Sequence, residues 1–194
     1  MKKPKVNKEY LKLYEQTARQ RIVEILFRFP DKEFSLSDLA KLSKVAKANI
    51  GKILEELYNN NIIQIIKLSK IWRIKANQEN WHFIKSKIIY NLNFVYQSGL
   101  VEYLTDYFQN PKSIILFGSF RKGEDLSDSD IDIAVESDEV KDYENVHLRE
   151  LENFEESINR KIQIHNFNRR NIDMHLFNNI ANGIVLSGFL EVKP

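Results

Sequence analysis

No cysteine occurs in the 194 residues, which excludes disulfides, thiolate metal sites and a cysteine nucleophile. No apolar run approaches the ~18 residues of a membrane span, and the start, MKKPKVNKEY, is basic without the apolar stretch of a signal peptide. A soluble protein in a reducing compartment is the expectation, with the cytoplasm as its expected location. Net charge is also scarce, since 29 Lys and Arg against 27 Asp and Glu leave only +2. What the chain does have is 43% hydrophobic and 29% charged residues, a globular composition able to bury a core. Its length allows one or two small domains.

The small total conceals an asymmetry. Residues 1–109 hold 19 Lys and Arg against 11 Asp and Glu, net +8, whereas residues 110–194 hold 10 against 16, net −6. A basic front half suits a polyanion, and an acidic back half suits carboxylates with a chemical task or a solvated surface. The motifs must decide.

In the front half, Ile22, Val23, Ile25, Leu26 and Phe29 fall at helical spacing, and Pro30-Asp31 stops the helix. Ser37 is the expected cap of a second helix over Asp38 to Ser43, and a third carries Ile50, Ile53, Leu54 and Leu57 on one face up to Asn59-Asn60-Asn61. Ile62 to Lys67 and Ile71 to Lys75 read as two short strands around a tight turn at Leu68-Ser69-Lys70.

The stretch SLSDLAKLSKVAKANIGKILEELYNNNIIQIIKLSKIWRIKAN resembles the winged helix-turn-helix domains of archaeal and bacterial transcription regulators. The resemblance covers about residues 18–77, behind a basic segment over 1–17, and implies that double-stranded DNA is a partner, with the third helix in the major groove and the wing on the flanking backbone. Residues expected to point outward are Lys44, Lys47, Asn49 and Lys52 on the helix and Lys67, Ser69, Lys70 and Arg73 on the wing. Lysines suit phosphates, and Asn49 is suited to a base edge. Ala46 stands where a Ser or Thr cap is usual. The competing reading is a protein-binding winged helix whose lysines are only solvated. Lys2, Lys3, Lys5 and Lys8 fit a flexible arm on phosphates but add little weight.

Residues 78–97 read as a helical connector. Trp81, Ile84, Ile88, Leu92, Val95 and Tyr96 form an apolar stripe, which resumes after Ser98-Gly99 with Leu100, Val101, Leu104 and Phe108. Packing on its own domain is preferred for this stripe over a homodimer seam.

In the back half, the apolar run Ser113 to Phe117 is followed directly by Gly118-Ser119, and a second run, Asp130-Ile131-Asp132-Ile133-Ala134-Val135, alternates acids with core residues. In a strand, Asp130 and Asp132 share one face while Ile131 and Ile133 face the core. Two carboxylates side by side repel unless a cation lies between them, and such oxygen ligands favour Mg²⁺. Gly118 permits close approach to a ligand, Ser119 adds a hydroxyl at the opening of a helical turn, and Arg121 and Lys122 supply charge for the same anion. Asp125 and Asp128, ahead of the strand, are expected to be turn residues of an acidic loop.

The segment ILFGSFRKGEDLSDSDIDIAV closely resembles the signature of the DNA polymerase β-like nucleotidyltransferase superfamily, above all its minimal nucleotidyltransferase branch in archaea and bacteria. The resemblance extends over residues 98–194, with SGLVEYL and NGIVLSGFLEV as flanks. It implies that Gly118 and Ser119 hold the phosphates of a nucleoside triphosphate, that Arg121 assists, and that Asp130 and Asp132 are the catalytic acids that bind Mg²⁺ or Mn²⁺. The fold class expected for the chain is α+β, with a winged helix-turn-helix, a helical connector and an α/β domain built on a small mixed sheet.

The family's third carboxylate lies on the next strand, after a helix. Lys141 to Ile158 are expected to form that helix and Arg160 to His165 the strand, which puts Gln163 at the acid's position. In a two-metal scheme the third acid helps bind the metal that activates the acceptor hydroxyl. His165 and Asp173 are candidate substitutes, while His82, His147 and His175 are expected to be packed or solvated. Arg160, Lys161, Arg169 and Arg170 are open to two uses, phosphate contact or solvent exposure. Two functions therefore compete. One is a metal-dependent nucleotidyltransferase moving a nucleoside monophosphate to an acceptor hydroxyl, with a partner protein as one candidate acceptor by resemblance to antitoxin relatives. The other is a DNA-binding transcription regulator whose degenerate nucleotidyltransferase domain only binds nucleotide.

Overall fold

Residues 17–68 and 71–192 are described by the computed structural model. The chain folds into two compact units, one ending at Tyr90 and the other running from Asn91. The basic residues Lys2, Lys3, Lys5 and Lys8, and Ser69 and Lys70, lie outside the described residues.

The first unit contains three helices followed by an antiparallel pair of strands. Helix α1 (Ala18–Arg28) starts where Thr17 Oγ1 accepts from Gln20 N–H and buries Ile22, Leu26 and Phe27. Helix α2 (Leu36–Ser43) begins earlier than the expected Ser37 cap. Ser35 is the cap, because its side chain accepts from Asp38 N–H while Asp38 accepts from Ser35 N–H, a reciprocal box that satisfies two end donors. Helix α3 (Lys47–Asn59) opens on Ala46 without a side-chain cap and buries Ile50, Leu54 and Leu57. Strands β1 (Ile63–Leu68) and β2 (Ile71–Ala76) then pair antiparallel, with Ile63 opposite Ala76. Phe34 joins β2 through a bridge to Ile74. Leu39, Ile50, Leu54, Ile74 and Phe83 lie in one apolar core.

Helix α4 (Trp81–Gln97) contains the division between the units. Its buried residues include Phe83, Lys87, Asn91, Phe94 and Val95, while Trp81 and Tyr96 are exposed. The apolar stripe expected through Trp81, Ile84, Ile88 and Leu92 is thus rotated. Two polar side chains occupy inward positions, so a count of apolar residues alone misplaces the face. Helix α5 (Leu100–Tyr107) follows Gly99, whose φ of 87° reverses the chain in a conformation that suits glycine.

The second unit carries a five-stranded mixed sheet. Strand β3 (Ser113–Phe117) passes directly into the short helix α6 (Gly118–Lys122). Strand β4 (Ile131–Glu136) pairs antiparallel with β3. A short edge strand β5 (Glu144–Val146), a 3₁₀ turn at Arg149–Leu151 and helix α7 (Glu152–Ile158) come next. Strand β6 (Ile162–Phe167), helix α8 (Met174–Ala181) and strand β7 (Ile184–Gly188) complete the order β5-β6-β4-β3-β7, in which only the β4–β6 pair is parallel. The helix expected over Lys141 to Ile158 therefore forms only in its second half. Its first half contains β5, whose Asn145 pairs with His165 and Val146 with Ile164. Ile131, Ile133, Val135, Ile162 and Ile164 are fully buried, as the alternation along β4 requires.

Candidate functional site

The carboxylates sit where β4 begins, with Asp130 immediately before the strand and Asp132 inside it. Asp132 is opposite Phe117 on β3 and Gln163 on β6. Since paired residues share a sheet face, the Gly118 turn, the two acids and the side chains of Gln163 and His165 converge at one end of the sheet. Gly118 has φ 73°, and a Cβ there would run into Asp132 Oδ2. Only glycine leaves room for the helical turn to rest against that carboxylate.

Each acid has a partner on β6. Gln163 Nε2 donates to Asp130 Oδ2, and His165 Nε2 lies 3.1 Å from Asp132 Oδ1. Behind them, Asn145 Nδ2 donates to Gln163 Oε1 at 2.6 Å, and the Tyr143 hydroxyl lies 2.7 Å from His165 Nδ1. An ionised Asp132 can only accept, so His165 Nε2 carries the hydrogen. In a neutral ring Nδ1 is then bare and accepts from the Tyr143 O–H. Burial, reinforced by the negative charge of Asp132, raises the Tyr143 pKa above its ordinary value, which keeps the phenol a donor at neutral pH. The imidazole is also held edge-on to Phe117, with ring centroids 4.8 Å apart.

The chemistry of the acid pair fits a divalent cation. Two carboxylates share a face, and among the described residues neither forms a direct ion pair with lysine or arginine, although the charge of Lys161, bound to Glu155, is felt at Asp130. No group of three or more His, Asp or Glu side chains is arranged to hold an ion among the described residues. The pair thus offers carboxylate oxygens, donors of the kind that hard divalent cations take.

Other residues singled out in the sequence fall into different surroundings. Ser119 and Arg121 lie on α6, half-buried, and Arg121 Nε is buried without a hydrogen-bond partner among the described residues. Asp173 is the cap of α8, where its Oδ1 accepts from His175 and Leu176 N–H. Asp125 is not an exposed turn residue. It is 1% exposed, ion-paired with Arg160 at 3.2 Å, and accepts from Asn91 Nδ2. Lys161 pairs with Glu155, and Arg169 pairs with Glu136 and Glu191, while Arg170 is exposed. A separate cavity of about 1160 Å³, lined by Lys112, Glu136 and Arg169 among others, lies at the opposite end of β3 and β4 from the acids.

In the first unit, Lys47, Asn49 and Lys52 are exposed on α3. Lys44 belongs instead to the end of α2, where it is the left-handed C-cap with φ 54°. Lys67 lies over the Trp72 ring, 4.4 Å from its centroid. Arg73 is exposed, but its guanidinium is bound by Glu33 through both Nε and an Nη. Sequence reasoning missed Tyr143, Asn145 and the Arg73–Glu33 pair, because each depends on a partner distant along the chain.

Comparison with known proteins bears on the second unit. Residues 99–188 match the family model described as "Polymerase beta, Nucleotidyltransferase", which supports a nucleotidyltransferase domain in the C-terminal half. No curated protein matches the chain. Among solved structures, the heme sensor protein PefR from Streptococcus agalactiae in complex with heme matches at 15% identity, over 51% of this chain and 65% of that one, with a TM-score of 0.33. The chain thus spans slightly less than two thirds of PefR, and a likeness at this level identifies neither fold nor function.

Proposed function

We propose that the C-terminal unit transfers a nucleoside monophosphate from a nucleoside triphosphate to an acceptor hydroxyl, releasing pyrophosphate, and that the N-terminal unit binds double-stranded DNA as a winged helix-turn-helix. The observation that carries the enzymatic reading is the placement of Asp130 and Asp132 on one face beside Gly118, with no direct ion pair to lysine or arginine among the described residues. Asp130 and Asp132 hold the divalent ion, which when bound neutralises phosphate charge. Gly118 lets the α6 backbone approach the phosphates, Ser119 donates its hydroxyl, and Arg121 adds positive charge for the same anion. The acceptor hydroxyl oxygen then attacks the α-phosphorus and gives its proton to solvent as the bond to the pyrophosphate oxygen breaks, a reaction whose catalysis is mainly positioning and charge stabilisation.

Binding without turnover is the second reading, and Gln163 favours it. A neutral amide that donates to Asp130 stands where a third carboxylate would complete the site. Titration of Mg²⁺-ATP binding beside release of labelled pyrophosphate separates the two. Metal-dependent release supports transfer, whereas binding without release for every acceptor hydroxyl tried overturns it. Restoring the charge by Gln163→Asp is expected to strengthen metal binding by about tenfold and to raise transfer. Unchanged affinity and rate would remove Gln163 from the explanation.

The DNA reading rests on the exposed row Lys47, Asn49 and Lys52 along α3, followed by the β1–β2 hairpin. Removing two phosphate contacts with Lys47→Ala and Lys52→Ala is expected to reduce the slope of log K against log salt by about 2. Arg73→Ala should change affinity less, since Glu33 already holds that side chain. Fluorescence anisotropy on duplex DNA measures both, and binding insensitive to salt and to the lysine changes counts against this docking.

A further inference from the structure

Both carboxylates are reached from the sheet edge by matched pairs of side chains. On β5 and just before it, Tyr143 and Asn145 are two residues apart, and on β6 His165 and Gln163 are two residues apart in the opposite chain direction. The antiparallel register sets Asn145 opposite His165 and brings the four side chains to one face. The contacts run Tyr143 to His165 to Asp132, and Asn145 to Gln163 to Asp130.

We propose that Tyr143 and Asn145 are positioning residues that orient the two metal-binding acids through His165 and Gln163. This deepens the nucleotidyl-transfer reading above and rests on its assignment of Asp130 and Asp132 as ligands. Rotamer and tautomer follow from the outer partners. Because the Tyr143 O–H donates to Nδ1, His165 keeps its hydrogen on Nε2 and directs it to Asp132 Oδ1. Because the Asn145 amide donates to Gln163 Oε1, the Gln163 NH₂ faces Asp130 Oδ2. One oxygen of each acid is thereby occupied, and Asp130 Oδ1 and Asp132 Oδ2 remain for the cation. Gln163 presents donors to the site and takes no part as a ligand. Outer partners of this kind fix the direction of ligand lone pairs, and their removal typically costs 10- to 100-fold in metal affinity.

Two measurements on the full chain test this, one of which needs no activity. In a ¹⁵N-histidine long-range NMR spectrum without metal, His165 is expected in the Nε2–H tautomer, and Tyr143→Phe is expected to shift it towards a mixture. Mn²⁺ titrated into the protein and followed by electron paramagnetic resonance should bind about 10-fold more weakly to Tyr143→Phe and to Asn145→Ala, whereas Asn145→Gln, which keeps an amide donor, should recover part of the loss. A His165 ring protonated only on Nδ1, or a tautomer and Mn²⁺ affinity both unmoved by the two substitutions, overturns the proposal. Intact tautomer control with weakened Mn²⁺ binding but no pyrophosphate release overturns nucleotidyl transfer and supports the positioning role. Metal-dependent release with no effect at Tyr143 or Asn145 does the reverse.

Discussion

Asp132→Asn is expected to lower metal-dependent nucleotidyl transfer by about 10³-fold, or ~4 kcal/mol of transition-state stabilisation. The substitution preserves shape, and the asparagine Oδ1 still accepts from His165, so the contact at 3.1 Å has a replacement. What disappears is the negative charge beside Gly118. With only two acids in the set, removing one takes away half of the charge available to a cation. Folding stability should change by less than about 1 kcal/mol, as expected for an isosteric change outside the apolar core. Pyrophosphate release measured beside chemical denaturation distinguishes loss of chemistry from loss of fold. A fall in transfer that matches a fall in folded protein would assign Asp132 a structural role instead.

Arg160→Met is expected to have the largest effect on stability, about 3–5 kcal/mol. Arg160 and Asp125 are 2% and 1% exposed at their side chains and 3.2 Å apart. Deleting the guanidinium takes a cationic partner away from a buried carboxylate, which keeps the Asn91 amide as a donor. Arg160 also donates to the carbonyls of Ser127 and Asn159, which tie the loop ahead of Asp130 to the end of α7. The double change Arg160→Met with Asp125→Leu is expected to recover part of the loss, because the buried carboxylate is removed together with its guanidinium partner. Denaturant midpoints for the wild type, both single variants and the double variant form the test. A loss of less than about 1 kcal/mol for Arg160→Met would show that water or a shifted partner reaches Asp125.

Local signals account for what the sequence made legible. Ser113–Phe117 is a short apolar run that ends at a glycine, and Asp130 to Val135 alternates acids with residues that are fully buried. Each pattern depends on near neighbours, so strand, turn and acid pair were all readable. The segment from Lys141 to Ile158 was not, because β5 is three residues long and exists through pairing with β6 some twenty residues later. Its loss from the reading also hid Tyr143 and Asn145. Asp125 resembled any acid of a polar loop until Arg160 and Asn91 were brought to it. On α4, Lys87 and Asn91 occupy buried positions that a hydrophobicity count assigns to solvent. These departures share one physical cause, in that long-range polar pairing overrides the preference each residue shows alone.

Transfer of a nucleoside monophosphate, as proposed, depends on a divalent ion held by Asp130 and Asp132. Its most direct test is pyrophosphate release from Mg²⁺-ATP and the other Mg²⁺-nucleoside triphosphates, by the full chain and by Asp130→Asn and Asp132→Asn, each with and without chelator. The wild type is expected to release pyrophosphate with at least one nucleotide, with the release abolished by chelator and reduced by about 10³-fold in both variants. Release that persists at the wild-type rate in either variant would contradict the claim.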